Sequence, residues 1–206
     1  MGLMQSMPKA NKQPYTIESV NRDSVDAVID IQEELAIGDK LLRDGITVAP
    51  RGMLISGHNK EALQHYLDEG GKIFVASAEE QYHIGYTLVA PGRVFTPKYL
   101  KSKVNWVNHD WRGKITPIIE GNNYIYLDQI GVRWKYHRKG VASALLRHVE
   151  KVYDGQDIIV LIITSPLYNI SSAKFFKNHN YVKICDIHFS KFGTLSQCDG
   201  LLVWKR

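Results

Sequence analysis

The sequence predicts a single α/β domain built on one mixed β-sheet. Apolar residues recur at helical spacing in four segments, and they alternate or run continuously in seven others. The strands and helices interleave along 206 residues without an internal repeat or a linker. A chain of this length can bury one well-formed core.

Each predicted element follows from these patterns. Strands are predicted at 15–20, 72–78, 83–90, 124–132, 158–164, 181–189 and 201–205, and helices at 21–38, 59–70, 139–153 and 169–180. Asn21 or Asp23 can cap the first helix, and Gly38 is expected to end it. The segment 39–57 is predicted to be irregular. The apolar run 158–164 indicates a central strand that is buried on both faces.

Two segments stand outside this pattern. Residues 1–13 are polar and aperiodic, which predicts a disordered N-terminal tail ahead of a domain at 14–206. Residues 91–123 form an insertion between the third and fourth strands, and its length indicates that it is functional or partly structured. The side chains in it that could shape a pocket or lid are Tyr99, Trp106, His109 and Trp111.

Charge and cysteine content narrow the function classes. The excess of 26 Lys and Arg over 21 Asp and Glu gives a net charge of +5. This is too small for a histone-like nucleic-acid binder but suits one anionic ligand. Cys185 and Cys198 form no CxxC motif, which excludes a disulfide scaffold and favours a reducing, cytoplasmic setting. The longest aliphatic run, 158–163, is too short to cross a membrane.

Positive charge is most concentrated after the fourth predicted strand. Five basic side chains precede a helix start there: Arg133, Lys135, His137, Arg138 and Lys139. Gly140 and Ala142 open the helix, and a helix N-terminus binds phosphate through its unpaired N–H groups. The P-loop and dinucleotide motifs are absent. The alternative interpretation is a solvated basic loop that caps an ordinary helix.

Two motifs resemble those of the GCN5-related N-acetyltransferase (GNAT) superfamily. Residues 137–142, His-Arg-Lys-Gly-Val-Ala, resemble the motif R/Q-x-x-G-x-G/A, with His137 at its first position. Residues 169–181 resemble N-x-x-A-x-x-F-Y-x-x-x-G-F, with Asn169, Phe175 and Tyr181 in register. Ser172, Phe176 and Asn180 replace the Ala, Tyr and Gly of that motif. The order of elements also matches from residue 15 to residue 204.

The resemblance implies the GNAT fold and acetyl-CoA as the acyl donor. The fold would be a mostly antiparallel sheet of about seven strands with helices on both faces, splayed between strands 4 and 5. Ile130 and Val132 would contact the CoA arm through their backbone groups. The other implied donor-binding residues are His137, Arg138, Lys139, Gly140, Val141, Ala142, Ser143, Asn169, Ser172 and Phe176. No metal is expected, because the other histidines lack paired-ligand spacing: His58, His65, His83, His109, His148 and His179.

The resemblance also implies direct attack of a primary amine on the thioester in a ternary complex. The amine must first lose a proton, and Asp128 is the predicted base or water relay, with Tyr126 in reserve. A structural Asp128 bonded to a backbone N–H is an equally good interpretation. Strand alternation predicts that Tyr126, Asp128, Ile130 and Val132 share one face. Phe176 has no hydroxyl to protonate the leaving thiolate, so either another donor serves or the thiolate leaves unprotonated.

The leading hypothesis is an N-acetyltransferase that acts on a small amine or a protein amine. The alternatives are a catalytically weak GNAT-fold module that binds acyl-CoA and a basic nucleic-acid-binding protein. The nucleic-acid-binding alternative is disfavoured because the chain shows no basic helical face. Nucleic acid is therefore not an expected partner, and a membrane is not expected either, because the longest apolar run is too short to cross one. The sequence determines neither the acceptor nor the oligomeric state, and a homodimer is an open option.

Overall fold

The computed structural model describes residues 15–49, 51–55, 57–78, 82–93, 104–106, 109–192 and 195–206. The strands are β1 (Tyr15–Ser19), β2 (Lys72–Ala78), β3 (His83–Pro91), β4 (Val104–Trp106), β5 (Tyr124–Val132), β6 (Asp157–Ser165), β7 (Val182–Phe192) and β8 (Leu195–Lys205). The helices are α1 (Asp26–Leu35), α2 (Gly38–Arg43), α3 (Lys60–Asp68), α4 (His109–Glu120), α5 (Val141–Val152) and α6 (Ile170–Asn178). The predicted tail at 1–13 lies outside the described residues.

The strands form one mixed sheet in the order β1-β2-β3-β5-β6-β8-β7-β4. All neighbouring strands are antiparallel except β5 and β6, which are parallel. The predicted fold class is confirmed. The seven expected strands are present, and the three-residue strand β4 adds to the sheet at the edge of β7.

The sheet opens between β5 and β6, which are the fourth and fifth predicted strands. Residues 124–127 pair with residues 157–160, and the pairing of these two strands ends there. Residues 129–132 remain paired with β3, and residues 161–165 remain beside β8. The facing edges of the two strands therefore leave backbone groups that a ligand can reach.

Helices cover both faces of the sheet. One face packs against α5 and α6, and its core joins Leu145 and Phe176 to Leu127. The opposite face has two parts. On one part, α1 and α3 pack over β2 and β3. On the other, α4 packs over β6, β7 and β8. The opening between β5 and β6 therefore has a different set of helices on each side.

Two helices were not predicted. The helix α2 occupies the start of the segment expected to be irregular, and Gly38 begins α2 instead of ending α1, which stops at Leu35. The helix α4 lies in the 91–123 insertion and contains Pro117. It is stable because Ile115 and Ile119, one turn apart, are buried against the sheet. Tertiary burial outweighs the unfavourable propensity of proline here.

A β-bulge in β5 changes which residues share a face. The register of β3 against β5 skips Asp128, which is the extra residue of the bulge. Ile130 and Val132 pack in the core beneath α5, whereas Tyr126 packs in the core beneath α4. The prediction that these four residues lie on one face is wrong, because one inserted residue reverses the alternation.

The helices of the described residues are short. The longest, α4 and α5, have 12 residues each. None of the described helices combines the length and the apolar character that a membrane span requires.

Candidate functional site

The N-terminus of α5 lies beside the opening of the sheet. Its N-cap is Gly140, with φ of +82°, and no side chain caps the helix. The first intrahelical bond runs from the Ala144 N–H to the Gly140 carbonyl. The N–H groups of Val141, Ala142 and Ser143 therefore have no partner inside the helix, and a helix start of this kind attracts an anion.

These residues line a cavity of about 560 Å³, which we call the loop cavity. Its wall contains nine of the predicted donor-binding residues: Ile130, Val132, His137, Arg138, Gly140, Val141, Ala142, Ser143 and Ser172. A Cβ built on Gly140 would have no heavy atom within 4 Å, so the cavity comes directly up to the helix start. Residues from β5, α5 and α6, distant in sequence, thus meet around one space.

The basic side chains before Gly140 have different roles. Arg133 forms an ion pair of 2.7 Å with Glu34 of α1 and donates to the His83 carbonyl at 2.8 Å. Arg133, which was not among the implied donor-binding residues, therefore anchors the loop to α1. Arg138 is exposed and lines the loop cavity. Lys139 holds its ammonium 5.2 Å from the centre of the Tyr136 ring.

His137 also has a structural role in the loop. Its Nε2 lies 2.7 Å from the Val132 carbonyl oxygen, and a carbonyl only accepts, so Nε2 donates. Its ring packs against Trp134 with centroids 4.7 Å apart. The Trp134 N–H donates to Glu34 at 2.8 Å, so the whole loop is tied to α1. The Arg or Gln expected at this motif position is thus replaced by a side chain that fixes the loop.

A second space, the strand cavity, lies between the parted strands and has a volume of about 400 Å³. Its wall is mostly apolar and includes Phe176 of α6. Both predicted catalytic residues, Asp128 and Tyr126, line it, as does Asn169. Ile130 and Ser172 line both cavities, so the two spaces meet at the opening between β5 and β6.

The two remaining motif residues pack within the chain. The side-chain Oδ1 of Asn169 accepts from the Ser172 N–H at 3.2 Å and caps α6, and its side-chain Nδ2 donates to the Met53 carbonyl at 3.3 Å. Phe176 is 2% exposed and packs edge-to-face with Tyr181, with ring centroids 5.1 Å apart. Asn169 thus joins α6 to the loop after α2, and Phe176 supplies an apolar wall.

The structure brings His58 to Asp128, a contact that the sequence did not reveal. Its Nε2 lies 3.3 Å from Oδ2 of Asp128, and the side chains are 34% and 19% exposed. Both residues line the strand cavity. Seventy positions separate them, so no local motif could have found the pair. Asp128 therefore has a side-chain partner, in contrast to the purely backbone-bonded alternative.

A buried polar network positions His58. Its backbone N–H donates at 2.7 Å to the side-chain oxygen of Gln32, which is 1% exposed. The Gln32 amide donates at 3.0 Å to Gln129, the neighbour of Asp128, and the Tyr86 hydroxyl donates to the same Gln129 oxygen at 2.8 Å. A Cβ on Gly57 would stand 2.9 Å from the Gln32 oxygen, so this close approach requires glycine.

Tyr66 of α3 contributes a further polar group to the strand cavity. Its hydroxyl is buried and has no hydrogen-bond partner among the described residues. Burial raises the pKa of Tyr66, and the negative charge of Asp128 raises it further. The hydroxyl therefore stays neutral and can exchange a hydrogen bond with a ligand.

The predicted aromatic residues of the insertion are only partly covered. Tyr99 lies outside the described residues, whereas Trp106 belongs to β4 and His109 and Trp111 belong to α4. Their role in a pocket or lid stays a prediction. Within the described ranges, no three His, Cys, Asp or Glu side chains come together as a metal site requires.

Both cysteines are fully buried in the core beneath α4. Burial, followed by the charge of Asp186, raises the pKa of Cys185 to about 12. Burial, and to a smaller extent the negative charge of Asp199, raises the pKa of Cys198. Cys185 is therefore a core residue, and its thiol is almost never ionised at neutral pH.

We expect the native protein to resist Ellman's reagent. At about pH 8, a thiol with a pKa near 12 is ionised to roughly one part in ten thousand, and only the thiolate reacts. The native reaction should be at least about 100-fold slower than the reaction in concentrated guanidinium chloride. Rapid release of one equivalent of thionitrobenzoate from native protein would contradict the burial of both thiols.

The chain thus combines a splayed mixed sheet with an uncapped helix N-terminus at its opening. The family model described as the acetyltransferase (GNAT) family matches residues 44–181, about two thirds of the chain. The chain belongs to this family. No curated protein sequence matches it.

Solved structures of the same fold cover nearly the whole chain. The ribosomal-protein-S18-alanine N-acetyltransferase of Escherichia coli has a TM-score of 0.57 at 13% identity, covering 92% of each chain. NAA60 of Arabidopsis thaliana, with a bisubstrate analogue, has a TM-score of 0.56 at 16% identity, covering 93% of this chain and 97% of its own. The smu.2055 protein of Streptococcus mutans has a TM-score of 0.59 at 13% identity, covering 92% and 98%. At these identities the likeness concerns the fold.

Proposed function

We propose that this protein transfers an acetyl group from acetyl-CoA to a primary amine in a ternary complex. The observation that carries the proposal is the junction of two cavities at Ile130 and Ser172. An anion-binding helix start lies at one cavity, and a carboxylate lies in the other. A donor and an acceptor can thus enter from different sides and meet between β5 and β6.

The loop cavity fits the donor. We assign the pyrophosphate to the N–H groups of Val141, Ala142 and Ser143, with Arg138 and Lys139 adding positive charge nearby. The open space at Gly140 lets the phosphate oxygens approach the backbone. The edge of β5 at Ile130 and Val132 that does not pair with β6 offers backbone groups to the CoA arm, apart from the Val132 carbonyl, which accepts from His137. Phe176 offers an apolar wall in the adjoining strand cavity. Asn169 acts indirectly, because it caps the helix that carries Ser172 and Phe176.

The strand cavity fits the acceptor. Acetyl-CoA supplies an activated acyl group, and the chain must supply the position and the proton acceptor for the amine. We place proton removal at the Asp128 end of the cavity, where the bulge directs the carboxylate inward. Tyr126 is 2% exposed and serves as part of the wall or as a hydrogen-bond donor.

A thiol-release assay tests this function. The protein is incubated with acetyl-CoA and a panel of amines: amino acids, polyamines, arylamines and peptides with free N-termini. Peptides are included because the E. coli fold neighbour is named for a ribosomal-protein alanine. We expect stoichiometric release of CoA and formation of an acetylated amine, identified by mass spectrometry, with at least one class.

The absence of a hydroxyl at Phe176 supports a second candidate, a catalytically weak module that binds acyl-CoA. Tight CoA binding by calorimetry, without thiol release for any amine in the panel, would favour this module over the enzyme. Failure to bind CoA at all would contradict both. The cytoplasmic setting and the absence of metal, nucleic-acid and membrane partners stay predictions.

A further inference from the structure

We propose that His58, oriented by Asp128, is the base that takes the proton from the acceptor amine. This inference rests on the proposed acyltransferase function and refines it, because Asp128 then acts through the imidazole. Four features carry it: the contact between the two side chains, the tautomer that this contact requires, the network that holds the His58 backbone, and the position of both residues in the strand cavity.

The contact determines which imidazole nitrogen is basic. The Asp128 carboxylate can only accept a hydrogen bond, so in neutral His58 the proton must be on Nε2, 3.3 Å away. The lone pair is then on Nδ1. Among the described residues Nδ1 has no hydrogen-bond partner, and His58 forms part of the cavity wall. A basic nitrogen is thus held next to the space assigned to the amine.

The surrounding residues fix this arrangement. Gln32 holds the backbone of His58, and Gln32 also bonds Gln129, the residue after the bulge that carries Asp128. Base and orienting carboxylate are therefore attached to the same buried network. The other ionisable groups in this wall are Tyr126 of β5 and Tyr66 of α3. Tyr66 stays neutral for the reason given above, so Asp128 carries the formal charge facing the imidazole.

The proton transfer balances without an additional reactant. The ammonium form of the acceptor first releases one proton to solvent. As the neutral amine nitrogen then bonds to the acyl carbon, the nitrogen becomes positively charged and a second N–H proton moves to Nδ1. The C–S bond then breaks, and its electron pair leaves with sulfur as the thiolate. Asp128 stabilises the imidazolium, which releases the proton to solvent or to the thiolate, since His58 is one third exposed. The products are an amide and CoA.

The first test is the His58→Gln variant. Glutamine keeps a donor for Asp128 but has no basic nitrogen. We expect kcat/KM to fall by about 100-fold or more, with CoA affinity and melting temperature unchanged. A general base produces an acid limb in the pH profile of kcat/KM, and this limb should be absent in the variant. The matched control is His65→Gln, which replaces an exposed histidine of α3. This variant should keep both the wild-type kcat/KM and the acid limb of its pH profile.

The second test needs no turnover. Nitrogen-15 NMR of the histidine rings, with His58→Gln to assign the signal, should show His58 protonated on Nε2 and unprotonated on Nδ1. The opposite tautomer would overturn the proposal. An active wild type whose His58→Gln variant keeps both rate and acid limb would overturn the role of His58 alone. A wild type inactive with every amine would overturn the proposed function and this proton transfer together.

Discussion

Asp128→Asn is expected to lower kcat/KM for the amine by at least about 100-fold while leaving CoA binding intact. The carboxylate only accepts hydrogen bonds, so it requires the Nε2–H tautomer of His58. The asparagine amide can donate to Nε2 and thereby favour the tautomer with the proton on Nδ1. It also removes the negative charge that stabilises the imidazolium. The measurement is steady-state kinetics with the best amine of the panel, together with calorimetry for CoA.

The matched control is Asp154→Asn, which removes one exposed carboxylate after α5, away from both cavities. This variant should keep wild-type kinetics. If Asp128→Asn retained wild-type kcat/KM, Asp128 would be a structural residue, and the catalytic assignment of the strand cavity would be wrong. Equal losses in both variants would instead indicate an effect of net charge.

Gly140→Val is expected to weaken CoA binding by at least about 30-fold, through loss of backbone contacts to the phosphates. Gly140 has φ of +82° and open space where a Cβ would stand. A valine side chain would occupy that space and keep an anion away from the helix start. The left-handed backbone would also cost about 1–2 kcal/mol of folding free energy. Calorimetric titration with CoA and a thermal melt separate the two effects.

Gly155→Val provides the comparison for the backbone cost. Gly155 has φ of +74°, also has open space around its missing Cβ, and lines neither cavity. Both variants should lose similar stability, but only Gly140→Val should lose CoA affinity. Equal CoA affinity in the two variants would contradict the placement of the phosphates at α5.

Elements with strong local patterns were predictable. The strand 124–132 and the helix that follows it lie close to their predicted bounds, because alternation, Gly140 and the apolar stripe of α5 are local signals. The residues of this segment that were predicted to bind the donor are near one another in sequence, and nine of the predicted set line one cavity. A helix N-terminus that can bind an anion is formed by one turn of chain, so a sequence motif can predict it without tertiary information.

Features that depend on distant partners were missed. The helix α4 contains Pro117 and owes its stability to burial of Ile115 and Ile119 against the sheet, which no window of sequence reveals. The bulge at Asp128 arises from the register of β3 against β5. Strict alternation therefore assigned Tyr126 and Ile130 to the same face, when they pack in different cores.

The sequence by itself determined the order of elements, the family motifs and the place where an anion can bind, since these rest on periodicity, glycine conformation and helix termini. Only the tertiary structure decided what surrounds Asp128. It places His58, which is seventy positions away in the sequence, beside the Asp128 carboxylate. It also forms the ion pair between Arg133 and Glu34 that anchors the loop before α5. It also joined two cavities at the parted strands. Local propensity acts within a few residues, whereas side-chain contacts of this kind are selected by burial and register over the whole chain.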